Sequence, residues 1–334
     1  MKKLGLFGFL LFLSHCLSAQ SLTQNFFHDA DSLHKPRLYL AVGTAAVFYS
    51  GVVYTLDKYW YADYPRAPFH SFDDSHEWLQ IDKSGHLFTT YFEAKWACGV
   101  FRWTGLRQRK AAIIGSAVGM GLQTTLEILD GTSAGWGFSW SDMAANTAGA
   151  GLFLGQELAW HEQRISLKIS AHARPASLYN TTIQASNSAA TTTLGARADA
   201  LYGSRNNPLE FTLKDYNNLT IWASVNIWSF LPQREQSKFP RWLNIAVGYG
   251  AENLYRGENA YDWQDKQGNT FALNAAQYPR YRQFFIAPDI DLTKIKTRSK
   301  ALKTLFSAVN IIKFPLPALE LTSQGNVRFH GIYF

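Results

Sequence analysis

Cysteine is almost missing from this chain: there are two, Cys16 and Cys98. Cys16 lies in an N-terminal stretch that reads as removable, so no intrachain disulfide is left to form and a disulfide scaffold is excluded. Charge is short as well. Charged residues make up 17% of the chain, against ~25% in ordinary soluble domains, while hydrophobic residues reach 47% and aromatics 15%. That balance points toward a membrane or its surface. The formal net charge of +7 falls to about +5 without Lys2 and Lys3, and the excess is interspersed with Asp and Glu. A small, dispersed excess fits an anionic lipid surface and not a nucleic-acid footprint.

The usual catalytic signatures are absent too. Gly115-Ser116-Ala117-Val118-Gly119 has no following Lys and sits inside a helical pattern, so it is not a phosphate loop. Gly137-Phe138-Ser139-Trp140-Ser141 is one residue short of a nucleophile elbow, and no strand precedes it. No closely spaced His pair marks zinc, so a metal site would have to be assembled across helices. No cofactor fingerprint is present.

What is there begins with Met1-Lys2-Lys3, an apolar run over 4–13 and the small-residue end Leu17-Ser18-Ala19. This reads as a signal peptide over 1–19, cleaved before Gln20. Lipidation of Cys16 is the other reading, although Ser14-His15 ahead of it matches a lipobox poorly. A polar leader covers 20–37. Residues 38–56 carry no charge and come close to the ~20 needed to cross a bilayer; they equally suit a helix packed among others, being rich in Gly, Ala, Ser and Thr. The next stretch, 57–80, is crowded with rings, Tyr59, Trp60, Tyr61, Tyr64, Phe69 and Trp78. Such rings favour a water-to-lipid boundary, or fold over a helical core.

Apolar periodicity predicts helices over 82–103, 108–129 and 139–160, with small-xxx-small faces at Gly115/Gly119 and Gly151/Gly155 for close approach. Residues 38–164 thus form a bundle of about four helices. From 165 onward strands appear. Leu219, Ile221, Ala223, Val225 and Ile227 alternate with Thr220, Trp222, Ser224, Asn226 and Trp228, and similar alternation recurs near 243–250 and 283–292. The fold class is α+β: an N-terminal helical bundle followed by an antiparallel β domain over 165–334, for which a small outer-membrane barrel is one form. The terminal Phe334 resembles the ending of such barrels, but strict alternation puts it on one face with Arg328 and His330. The amphipathic stretch 300–313 interrupts a simple barrel.

If successive helices run antiparallel, the start of the second, the end of the third and the start of the fourth share one pole. Asp82, His86, Glu127, Asp130 and Asp142 then converge, and Arg102, Arg107, Arg109 and Lys110 fall at the other end. His86 lies one turn from Asp82, and Thr90 and Glu93 continue that face. A His and a carboxylate so spaced can act as an acid/base pair or ligate a metal; Asp82 can equally cap its helix, with Lys83 and His86 in water. Glu127 in an apolar helix calls for a partner, His86, Lys83 or a metal, unless it sits at an exposed helix end. Ser139-Trp140-Ser141-Asp142 is a capping box for the fourth helix, which accounts for Ser139 and Asp142 but not for Asn146 one turn on.

Asp82-Lys83-x-x-His86, Glu127, the run from Trp136 through Gly137-Phe138-Ser139-Trp140-Ser141 to Asp142, and Ala148-Gly149-Ala150 resemble the YfiM-like predicted lipoproteins of Gram-negative envelopes. The order Asp-Lys-x-x-His, Glu, Asp-x-x-x-Asn is more distantly similar to the VanZ-like membrane proteins. The resemblance spans roughly 57–160 and implies an envelope location and a helical core of uncharacterised role. The short lipoproteins have no counterpart of the chain after Ile165.

The expectation is a cell-envelope membrane protein, at the outer membrane, with a structural role or one in binding a lipid or envelope component. An inner-membrane protein with a periplasmic domain is the alternative location. The alternative function is a membrane-embedded hydrolase or transferase using His86, with Glu127 and Asp142 orienting it or holding a divalent metal.

Overall fold

The computed structural model describes residues 28–55, 57–58, 61, 65–204, 214–258 and 260–334. The expected signal peptide, Cys16, Leu56, Tyr59, Trp60 and Tyr64 lie outside the described residues. Helix α1, Lys35–Thr55, has no buried residue, so its apolar surface faces outward. Its base is held where the Arg37 guanidinium donates to the Trp103 carbonyl (3.0 Å), and Tyr49 donates to Thr125 Oγ1 (2.7 Å).

Three long helices follow, α2 Ile81–Trp103, α3 Gln108–Gly131 and α4 Trp140–Trp160, each within two residues of its expected ends. They pack as a trio because glycine lets the backbones approach. A Cβ on Gly115 would stand 2.6 Å from the Ala94 carbonyl oxygen, and one on Gly149 would stand 2.2 Å from that of Leu87. The expected tight face at Gly151 and Gly155 is not used: a Cβ at either meets nothing within 4 Å. Periodicity shows that small residues recur on a helix; which pair meets a neighbour is decided by the crossing point.

The chain then builds an open six-stranded antiparallel sheet from β1 Ile165–Ala171, β4 Leu219–Asn226, β5 Leu243–Glu252, β8 Tyr281–Ile290, β9 Leu316–Thr322 and β10 Val327–Tyr333, in that order. Two small ribbons, β2 Thr182–Gln184 with β3 Thr191–Thr193 and β6 Asp262–Gln264 with β7 Thr270–Ala272, pack beside helix α5, Leu194–Tyr202, around Trp263, Phe271 and Tyr202. The barrel expectation is thereby corrected, since β1 and β10 remain separate edges among the described residues. The amphipathic stretch explains it. Helix α6, Lys300–Val309, turns the chain so that 311–313 run along the free edge of β1, with Ile169 N donating to Ile311 O (2.9 Å) and Lys313 N to Ile169 O (2.9 Å).

The inner face of the sheet mixes an aromatic cluster, Trp222, Phe285 and Tyr333, with buried charge. It buries Lys168, Lys313, Asp289 and Glu320 completely or nearly so. Lys168 Nζ pairs with Asp289 (2.8 Å), which also accepts from Ser224 (2.6 Å); Gln283 and His330 both bond Glu320 (3.0 and 2.7 Å). Charges so deep persist because each has partners. A register shift between His330 and Tyr333 breaks the strict alternation expected for the last strand and turns Tyr333 inward, to Thr220 (2.9 Å).

The outer face divides. Over β1 and β4 it packs on the helices, where Leu167 and Ile221 join Ile81, Tyr91, Phe92 and Phe153 in one core. Beyond β4 the helical core reaches only Tyr249 and Ala251 of β5, and the rest is bare. Register aligns Val247, Ile286, Leu319 and Phe329 in one row and Tyr249, Phe284, Leu321 and Val327 in the next, and Val247 (54%), Ile286 (51%) and Phe329 (73%) are well exposed.

The glycine contacts give a prediction of opposite signs. Gly→Ala in an open helix position gains up to ~1 kcal/mol, which Gly155→Ala should show, whereas Gly149→Ala should lose ~1–3 kcal/mol by overpacking; denaturant unfolding in detergent reads both.

Candidate functional site

The acidic pole is built by three helix ends and one loop. Lys83, in the first turn of α2, places Nζ 2.7 Å from Asp74 Oδ2, 2.7 Å from Asp142 Oδ1 and 3.0 Å from Asp82 Oδ2. Burial alone would lower its pKa, but the carboxylates outweigh that and raise it. Asp82 does not cap α2, whose N-cap makes no side-chain bond; its Oδ1 instead accepts from Tyr216 OH (2.5 Å). The capping alternative for Asp82 therefore does not describe this helix.

Ser139 does cap α4, its Oγ accepting from Asp142 N (3.0 Å). The reciprocal half of the box is made elsewhere: Ser139 N donates to Glu127 Oε2 (3.1 Å). Asp142 is thus released from capping duty and turns to Lys83 and His86. Ser139 and Ser141 also donate to Asp74 Oδ1 (2.6 and 2.7 Å), so Ser139 Oγ accepts from one segment and donates to another.

His86 sits between two sets of acceptors. Its Nδ1 faces Asn146 Oδ1 at 3.3 Å and Glu127 Oε1 at 3.7 Å, and its Nε2 faces Asp142 Oδ2 at 3.7 Å and Asp82 Oδ1 at 3.9 Å. Asn146 Oδ1 also accepts from Thr90 (2.7 Å). Burial lowers the His86 pKa, and the charges of Asp82, Asp142 and Glu127 reverse the direction and raise it. Burial pushes the Glu127 carboxyl up to about 7, against the opposing pull of His86. Asp142 rises to about 7 through burial and then the Asp82 charge. Asp74, although partly buried, is held down to about 2 by Lys83 and the two serines.

Two candidates stand apart. Glu93 accepts from Gln123 Nε2 (3.0 Å to each oxygen) and burial pushes it up to about 7. Asp130 accepts from Tyr61 OH (2.7 Å); burial pushes it up to about 6, and it lines the same cleft as His86. That cleft has a volume of about 700 Å³ and is closed on the β side by Tyr216, Arg256 and Glu258.

Sequence reasoning missed Asp74, Tyr61 and Tyr216. Asp74 lies in the aromatic loop before α2, and Tyr216 is 134 residues from Asp82, so helix spacing carried no signal for either. The loop is locked by Trp78, Leu79 and Gln80, all in left-handed conformation (φ 49°, 49° and 62°). Such strain is held only by surrounding bonds: Trp78 N donates to Gly257 O (2.8 Å), Tyr249 OH to Leu79 O, and Arg282 to Gln80 Oε1 (2.6 Å). The sheet thereby fixes the approach to Asp82 and Lys83.

Residues 71–154 match a family described as predicted periplasmic lipoprotein (DUF2279). The matched segment holds Asp74, Asp82, Lys83, His86, Glu127, Asp130, Ser139, Asp142 and Asn146 and stops before the sheet. It supports an uncharacterised protein of the cell envelope. No curated protein and no solved structure matches the chain.

A pH dependence follows. Between the ordinary carboxylate value near ~4 and about 7, folded Glu127 and Asp142 hold protons that the unfolded chain has released. Stability therefore falls as pH rises through that window, and the raised His86 adds the same sign. Asp74 acts oppositely, but only below ~pH 4. In chelator-containing buffer the wild type should unfold at lower denaturant at pH 8 than at pH 5, and Glu127→Gln should flatten that slope.

Proposed function

We propose that this is an outer-membrane-associated envelope protein whose bare sheet face lies against lipid, and whose acidic pole binds an envelope component. The observation that carries it is the pair of registered apolar rows, Val247-Ile286-Leu319-Phe329 and Tyr249-Phe284-Leu321-Val327, on the outer face of a sheet whose inner face is already filled by Trp222, Phe285, Tyr333 and paired charges. A soluble sheet keeps its apolar side chains inside; this one also carries two apolar rows on its outer face, as lipid-facing sheets do. If each of the seven exposed side chains, all but Tyr249, withholds roughly 1 kcal/mol from water, the rows offer roughly 7 kcal/mol to a lipid contact. Patches of this kind mark interaction surfaces.

Helix α1 adds apolar surface of spanning length, whereas α3, which is also long and apolar enough, is one-third buried over its most apolar window. At the far pole Arg102, Arg107, Arg109 and Lys110 are exposed and suit anionic headgroups. The YfiM-like resemblance of 57–160 agrees with an envelope location; the VanZ-like ordering is a more distant likeness.

A second reading, a hydrolase or transferase with His86 as acid/base, is favoured by one specific feature: Asn146 and Glu127 flank Nδ1 while Nε2 faces the cleft side. It requires that a lipid or glycan substrate be turned over by the wild type and not by folded His86→Ala.

The lipid reading is tested by flotation of the purified protein on liposomes of phosphatidylethanolamine and phosphatidylglycerol. The wild type is expected to float, and the double variant Val247→Asn/Ile286→Asn to shift toward the soluble fraction while its circular dichroism is unchanged. In cells, the wild type should sediment with outer-membrane markers.

A further inference from the structure

At the pole, one imidazole nitrogen and two carboxylate oxygens face one another. If His86 Nδ1–H donates to Asn146 Oδ1 (3.3 Å), its Nε2 carries a bare lone pair, and that lone pair faces Asp142 Oδ2 at 3.7 Å and Asp82 Oδ1 at 3.9 Å. These separations are too long for hydrogen bonds, and the three atoms lie within 4.8 Å of one another. A cation satisfies all of them.

Charge points the same way. Asp74, Asp82 and Asp142 surround one ammonium, Lys83, leaving two negative charges in a largely buried cluster. Lys83 takes Asp82 Oδ2 and Asp142 Oδ1, so the other oxygen of each carboxylate is the one turned to His86; Asp82 Oδ1 there also accepts from Tyr216 OH (2.5 Å), which orients it and leaves a second lone pair for a ligand. Two further groups are left over. Glu127, 1% exposed, has Oε1 without a hydrogen-bond partner and turned toward His86 Nδ1 (3.7 Å), and the Asn146 amide nitrogen, fully buried, has none. An acceptor behind the ring nitrogen opposite the ligating one is what orients metal-bound histidine.

We propose that Asp82 Oδ1, His86 Nε2 and Asp142 Oδ2 bind a divalent transition-metal cation, zinc or manganese, with a further coordination position open to the cleft. One imidazole nitrogen with two carboxylate oxygens suits these ions, whereas magnesium and calcium favour oxygen alone. Lys83 acts as the internal counter-ion that fixes the second oxygen of both aspartates and leaves two negative charges, which one dication balances. The site requires neither the lipid seat nor an acid/base role for His86.

The test is isothermal titration of the full-length protein, stripped with chelator in detergent, with zinc, manganese and magnesium chlorides. The wild type is expected to take up one equivalent of zinc or manganese and to bind magnesium more weakly. His86→Ala and Asp82→Asn should each weaken binding at least ~10-fold, and Glu127→Gln, behind the ring, by ~10-fold or less. His70, whose ring nitrogens face the Pro68 and Trp136 carbonyls, supplies the control, and His70→Ala should bind as the wild type does. Should His86→Ala fail to fold by circular dichroism, Asp82→Asn decides. Absence of zinc and manganese binding by the wild type, or undiminished binding by a folded His86→Ala or Asp82→Asn, would overturn the proposal.

Discussion

Lys83 is the cation on which the acidic pole depends. Its ammonium lies within 3.0 Å of carboxylates from the loop before α2, from α2 itself and from α4, so one side chain joins three segments that otherwise repel. Breaking a buried ion pair by removing one partner costs ~3–5 kcal/mol, and here the groups left behind would be three acids. The rest of the pole is arranged around that contact. Because Glu127 takes over the Ser139 amide, Asp142 is free to reach Lys83; because Lys83 holds one oxygen of each aspartate, the other turns to His86.

The sheet supplies what the helices cannot. Tyr216 precedes β4 and reaches Asp82, and Tyr249 and Arg282 hold the left-handed turn that leads into α2. The pole is therefore shared between the segment that matches the periplasmic lipoprotein family and the strands that follow it. Inside, paired charges such as Lys168 with Asp289 lie beside the Trp222, Phe285 and Tyr333 cluster; outside, the helices cover β1, β4 and, on β5, Tyr249 and Ala251.

Much of this was legible in the sequence, and the reasons are particular. The three long helices and the strands near 219, 243 and 283 were readable because their periods are unambiguous, and antiparallel succession brought Asp82, His86, Glu127 and Asp142 to one end. The α+β class followed from the same patterns. What could not be read was tertiary. Nothing local distinguishes Gly149, which meets Leu87, from Gly151, which meets nothing. Alternation alone cannot register the shift that turns Tyr333 inward, nor foresee that 311–313 would occupy the β1 edge and keep the barrel open. Asp74 and Tyr216 enter the pole from segments whose own spacing carries no helical signal. The capping box was half right: Ser139 caps, but its partner comes from Glu127.

The most direct test of the account is whether the bare sheet face meets lipid. A bimane fluorophore attached at Val247→Cys, in protein reconstituted in bilayers carrying nitroxide-labelled acyl chains, should be strongly quenched, and so should one at Leu319→Cys in the same registered row. The same label at Arg109→Cys, on the basic turn, should be quenched little by acyl-chain nitroxides. Equal, weak quenching at all three positions would mean that the apolar rows face something other than a membrane, and the reading of the sheet as a lipid seat would fall.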